Sequence, residues 1–425
     1  MYPNPQDALP LPDRPRLEQY EAHARDLVTA CQSGEPDAFQ KWAARWGAPT
    51  ADLEAFARQT LTGSDCAPAS AQLVIAQVHG FDGWRAFASH LQDLGQAESP
   101  VSRFEAAAEA VIAGDVPALE RLLQEEPALI HARSTRVHRA TLLHYAAANG
   151  VENYRQKTPH NVVAVTKVLL AAGADVDAEA EMYGGGCTTL GLVATSIHPE
   201  RAGVQNTLMQ FLLDHGAQID RPGAAGNTHS LVTGCLANGR GPAAEYLAAH
   251  GARLDLEGAA GIGRLDLVKD YFDANGRLKP TATRKQMDAA FAWACEYGRT
   301  DVVVFLLERG IPIDAAVRHD GQTGLHWAAL GGHADVVSVL LERRAPVGVV
   351  DRTYSGTPLT WALHGWSDPP YGTSRDRYPE VVARLVRAGA AVNESWFDPA
   401  SDQTVFGKAL REDTRMIAAL RGNVL

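Results

Sequence analysis

Cysteine is scarce in this 425-residue sequence: Cys31, Cys66, Cys187, Cys235 and Cys295 lie far apart and none belongs to a CxxC pair. An odd total at such spacing argues against a disulfide framework and against a zinc cage, so the five are expected to be reduced and mostly buried. Long apolar runs are missing too; none approaches the roughly eighteen residues of a membrane span. The opening MYPNPQDALPLPDRPRLEQY lacks a basic segment followed by an apolar one, so no secretory signal is expected and the cytoplasm is the expected location. Lysine- or arginine-rich runs are absent, and 50 acidic against 39 basic residues leave a formal charge of −11, which repels a nucleic-acid backbone on average. Neither nucleic acid nor membrane is an expected partner. With 46% hydrophobic and 21% charged residues, the usage is globular rather than disordered.

Self-similarity is what the chain has in abundance. The phrase TGLHWAALGGHADVVSVLLERRAPV, from Thr323, has relatives in MDAAFAWACEYGRTDVVVFLLERGIPID from Met287 and in TPLTWALHGW…YPEVVARLVRAGAAVNES from Thr357. Small pairs such as Ala146 and Ala147, or Ala328 and Ala329, let a first helix pack closely, while Val336, Val337, Val339, Leu340 and Leu341 give a second helix its apolar face. Gly173, Gly216, Gly251, Gly310 and Gly389 fall where that second helix must stop in a left-handed residue, and Asp175, Asp220, Asp255 and Asp314 follow in the turn out. Each unit therefore reads as a helix pair followed by a hairpin.

These lines resemble the ankyrin repeat: a threonine-proline-leucine-histidine opening, an alanine pair, a glycine turn, a leucine-rich second helix and a glycine-alanine stop. The resemblance implies an all-α solenoid of about eight repeats, at 104–131, 137–178, 184–220, 224–255, 256–285, 287–314, 320–350 and 354–393. The first lacks the threonine-led opening, and the fifth has a shortened approach. Around this array, 101–393, we expect a proline-rich lead (1–15), a helical amino-terminal region (16–100) and a capping helix within 394–425. Within that amino-terminal region HGFDGWRAFASHL resembles a helical lead-in of ankyrin arrays in some bacterial proteins, although a plain helical cap explains it as well.

The repeat is interrupted at one fixed place. Twelve residues separate Gly298 from Gly310, and Gly239 from Gly251, but 23 separate Gly150 from Gly173 and Trp366 from Gly389, and 19 separate Ile197 from Gly216. Loops are thus added between the two helices of repeats two, three and eight. Insertions at equivalent positions of adjacent repeats should emerge along one edge, so those of repeats two and three are expected to meet. They would gather Tyr154, Arg155, Lys157, His160 and His198, near Tyr183 and the EMYGGGCTTLGL turn, where backbone amides with Thr188 and Thr189 could hold an anion. Arg155 would clamp a carboxylate or phosphate and a histidine, paired for instance as His198 with Glu152, could move a proton. No lysine follows the glycines, so this is not a P-loop, and tolerated inert insertions would look the same.

Trp293, Trp327 and Trp361 recur 34 residues apart and should form a ladder, either a partner-binding stripe or core packing; Trp366, placed in the loop of repeat eight, is the expected exposed anchor. His144 and His326 occupy the position that the resemblance makes structural, bonding backbone across the hairpins. No HxH or HExxH spacing supports a metal, and no cofactor is expected. The expected function is recognition of a partner protein on a concave surface of hairpins and inner helices. The alternative is a pocket for a small polar ligand, with hydrolytic chemistry, at the loops of repeats two and three.

Overall fold

The computed structural model describes residues 7–12, 14–46, 50–61, 66–221, 230–317, 321–370, 373–397 and 404–423. It forms two compact units, Met1–Thr228 and His229–Leu425. The fold is all-α: among the described residues, extended pairing is confined to Glu179–Ala180 with Cys187–Thr188 and a single bridge between Phe272 and Leu278.

The amino-terminal unit begins with five helices, Leu17–Ser33, Ala38–Ala43, Thr50–Thr60, Pro68–Val78 and Trp84–Leu94. They close on Tyr20, Leu27, Trp42, Leu53, Ile75, Phe81 and Phe87. One expectation fails here. Cys31 and Cys66 are joined in a disulfide with Cα atoms 5.7 Å apart, tying the end of the first helix to the approach of the fourth. Their separation of 35 residues hides this closeness, because two short helices fold out and back between them. Cys187, Cys235 and Cys295 remain thiols, and burial raises Cys235 to about 12.

Helix pairs follow in the same unit. Pro100–Ala113 starts behind Ser99, whose hydroxyl accepts the Ser102 N–H, and Val116–Glu125 behind Asp115, which accepts the Ala118 N–H; both have proline in the first turn. Repeat two has only a four-residue first helix, Leu142–Tyr145, then a long connection to Val162–Ala171. Repeat three runs Thr189–Thr195, Gln205–Asp214, and its inserted residues form a short helix of their own, Ile197–Arg201, rather than the open loop expected.

In the carboxy-terminal unit the pairs are Leu231–Ala237 with Gly241–Ala249, Leu256–Ile262 with Leu265–Lys269, Arg284–Glu296 with Thr300–Glu308, Gly324–Leu330 with Ala334–Glu342, and Pro358–Ser367 with Tyr378–Arg387. The start of the 224–255 segment, up to 229, lies outside the described residues. Gly173, Gly216, Gly251, Gly310 and Gly389 all have φ between 88° and 99°, the left-handed stop that the sequence requires. Where one closing helix was expected there are two, Val405–Glu412 and Thr414–Leu420. Asp413 divides them, since its extended backbone ends the first and its carboxylate accepts the Met416 N–H to start the second.

The two threonine-histidine pairs have the same geometry. Nδ1 of His144 accepts the Thr141 N–H at 3.1 Å, so its Nε2 carries the proton and donates to the Cys187 carbonyl at 3.1 Å. Nδ1 of His326 accepts the Thr323 N–H at 3.1 Å, and Nε2 donates to the Gly356 carbonyl at 3.2 Å. Each imidazole thus ties a helix start to the next hairpin, and holds that hairpin at a fixed height.

Candidate functional site

The interrupted phrase of repeat two is built around buried charge. After Leu142–Tyr145 the chain turns through a 3₁₀ segment, Asn153–Arg155. Arg155 Nη2 reaches Glu105 Oε2 at 2.6 Å and Glu109 Oε1 at 2.8 Å, both from the first helix of repeat one. Arg136 Nη1 donates to Glu105 Oε1 at 2.7 Å, and its Nε lies 2.7 Å from Glu152 Oε1. Arg155 Nη1 and His138 Nε2 stand 3.5 and 3.6 Å from the same Glu152 oxygen. Glu105, Arg136, His138, Glu152 and Arg155 are all buried, so two guanidinium charges answer two buried carboxylates. Burial pushes the Glu105 and Glu152 carboxyls up, but Arg136 and Arg155 more than reverse it and hold both below the usual range.

This arrangement changes the reading of Arg155. Its fork is filled by the protein's own carboxylates, and it offers no clamp to a ligand. Glu152 likewise pairs with Arg136 and Arg155 rather than with His198. The inserted loop runs back toward repeat one, where the Asn161 amide donates to the Gly114 carbonyl at 2.8 Å. Contact forward to repeat three is made at its root, with Ser196 donating to the Ala148 carbonyl at 3.0 Å and Asn149 to Thr195 at 2.9 Å. The two repeats therefore meet at 148–149 and 195–196.

The other expected contacts differ in exposure. Lys157 and His160 are exposed, Tyr154 is half-buried over Arg155, and His198 is half-buried on its short helix, its imidazole pKa lowered by burial and by Arg201. Gly184, Gly185 and Gly186 all have positive φ, which shapes the 181–186 turn between the two short strands. Thr188 caps the following helix by accepting the Gly191 N–H at 3.3 Å and Thr189 is buried, so the two hydroxyls do not form the outward donor pair expected. Among the described residues no group of three or more histidine, cysteine, aspartate or glutamate side chains is placed to hold a metal ion.

The tryptophans correct another expectation. Trp293, Trp327 and Trp361 are buried, with the Trp327 and Trp361 rings edge to face at 5.2 Å. Trp366 belongs to the helix Pro358–Ser367 and not to a loop; it is 3% exposed and donates its indole N–H to Asp413 at 3.2 Å. Helix Pro358–Ser367 runs past the alanine-leucine pair by an extra turn, which carries Trp366 inward.

Residues 291–341 match the family model described as ankyrin repeats in many copies. This stretch is an ankyrin-repeat segment. The chain is also similar to the crystal structure of the human ASB11 ankyrin repeat domain, at 21% identity over 68% of this chain and 99% of that one, with a TM-score of 0.33. None of the curated proteins matches. No helix among the described residues is long and apolar enough to cross a membrane.

The exposed apolar side chains follow a pattern. Among the described residues the exposed large hydrophobics are Tyr183 at 61%, Val350 at 54% and Tyr354 at 72%. Tyr183 sits on the hairpin that links repeats two and three, while Val350 and Tyr354 sit on the one that links repeats seven and eight. Tyr183 holds a left-handed backbone, φ 50°, and donates its hydroxyl to Asn149 at 2.7 Å, which props the ring outward. The sequence signal for Tyr354 is a tyrosine inside the turn DRTYSG. Glu105, Arg136 and His138 carry no joint signal in the sequence, because they come from separate segments that only the fold brings together.

Proposed function

We propose that this chain is a protein-binding module that contacts its partner through the inter-repeat hairpins and the concave face those hairpins make with the inner helices. Ankyrin repeats are in general protein–protein interaction modules, which supports the class of function. The observation that carries the finer reading is the exposure of Tyr183, Val350 and Tyr354 at hairpins while the tryptophan ladder is buried. Large apolar side chains held outward on fixed turns are the usual anchors of an interface, and a solenoid can vary them without changing its stack. The pocket reading has lost its main contact, since Arg155 is committed inside the protein.

The test compares partner recovery by the intact chain and by a Tyr183→Ser, Tyr354→Ser variant, using quantitative affinity capture. The partner set should shrink in the variant, with circular dichroism unchanged. Equal recovery by both would remove the hairpins from the interface.

A further inference from the structure

We propose that the finger between repeats seven and eight, residues 344–356, docks an acidic protein segment that carries a large apolar side chain. This rests on the hairpin reading above and adds the chemistry of the partner. The finger has three charged residues, Arg344, Asp351 and Arg352. Asp351 is turned inward and buried, with Oδ1 accepting the Tyr354 N–H at 2.7 Å and Oδ2 accepting the Gly356 N–H at 2.9 Å and the Trp361 indole N–H at 3.0 Å. Its negative charge therefore shapes the turn and does not face outward. Arg344 and Arg352 are exposed, and among the described residues no carboxylate lies at ion-pair distance from either. Some arginines of the same unit are paired, as Arg284 is with Asp288 and Arg384 with Glu380.

The apolar part is equally open. Tyr354 touches Trp361 edge to face at 5.9 Å and leaves most of its ring to solvent, next to the exposed Val350. Arg344 and Ser355, near the two ends of the finger, hold positive φ of 62° and 54°, conformations that persist in non-glycine residues when the surroundings dictate them. The finger thus presents an exposed aromatic ring and a valine, and carries two exposed guanidinium groups without an ion-pair partner among the described residues. In a chain of formal charge −11 the outward-facing charge of this finger is positive, and an apolar centre with a charged rim is the anatomy of a selective interface. Carboxylates on the partner would pair with the arginines in the bidentate geometry that guanidinium favours.

The test uses the full chain and two panels of fluorescein-labelled synthetic peptides, each with a central tryptophan or leucine, one flanked by aspartate and glutamate, the other by lysine. Fluorescence anisotropy at low and high salt reads the affinity. The acidic panel should bind, more weakly as salt rises. Tyr354→Ser, and Arg344→Glu with Arg352→Glu, should each weaken binding by about tenfold or more, while Arg201→Glu, an exposed arginine in the other unit, should leave it unchanged. Acidic peptides binding no better than basic ones, or binding equally to the doubly reversed variant, would overturn the proposal. So would tight Tyr354-dependent binding of a single-stranded oligonucleotide with no response to acidic peptides. If basic peptides bind in a Tyr354-dependent way, the hairpin reading stands and this inference falls; if nothing depends on Tyr354, both fall.

Discussion

Arg136 Nε lies 2.7 Å from Glu152 Oε1, with both side chains withdrawn from solvent. The contact joins the approach of repeat two to its inserted loop, and Glu105 extends it to repeat one. Taking one member from a buried ion network leaves its partner's charge uncompensated, at a cost of about 3–5 kcal/mol. Glu152→Ala should destabilise the amino-terminal unit by that amount in urea unfolding. Replacing Arg136 and Glu152 together by methionine and leucine should cost clearly less. Equal losses in the two variants would show that the pair is not the source of the effect.

Acid should loosen the same unit in two stages. His79, His90 and His144 are held neutral by burial, each lowered to about 4, whereas a histidine of the unfolded chain titrates near 6.5. As pH falls the unfolded chain therefore takes up these protons first, so stability is complete above roughly pH 6.5 and declines toward pH 4. Glu105 and Glu152 have depressed folded pKa values, so they add a second loss below about pH 4.5, where unfolded carboxylates protonate. The urea midpoint should fall from pH 7 to pH 5 and again from pH 5 to pH 3. A midpoint flat between pH 7 and pH 5 would contradict the first stage.

Thiol chemistry gives a direct count. Of the five cysteines, Cys187, Cys235 and Cys295 are free and Cys31 and Cys66 are bonded. Denatured, unreduced protein should react with three equivalents of a thiol reagent, and reduced protein with five. Closure of a loop of this length contributes about 4 kcal/mol by the chain-entropy relation, so reduction should lower the unfolding midpoint of the amino-terminal unit. Five reactive thiols without reductant would remove the disulfide.

Tryptophan truncation separates core from anchor. Trp327→Ala or Trp366→Ala should destabilise the carboxy-terminal unit by about 3–5 kcal/mol, the range for large-to-small changes in a core. Tyr354→Ser, at an exposed hairpin, should stay within about 0.5 kcal/mol. Chemical denaturation followed by tryptophan fluorescence would rank the three.

The helix pairs were legible because their evidence is local and repeated: alanine pairs, leucine stripes and glycine stops recur at one spacing. The insertions were equally legible as interruptions of that spacing. Their destinations were not, since the direction in which a loop folds depends on which side chains wait for it. Arg155 could be placed in the loop of repeat two, but nothing near it in sequence shows that Glu105 and Glu109, some fifty residues away, close around its fork. The same limit hides the Cys31–Cys66 bond and the inward place of Trp366, which Asp413 holds.

The two closing helices pack Met416, Ala419 and Leu420 into the core that holds Tyr378, Val382 and Leu385 of repeat eight. The outer side of that repeat is thereby occupied by the chain's own residues. A neighbouring copy therefore finds no bare face of that repeat on which to stack its own helix pair.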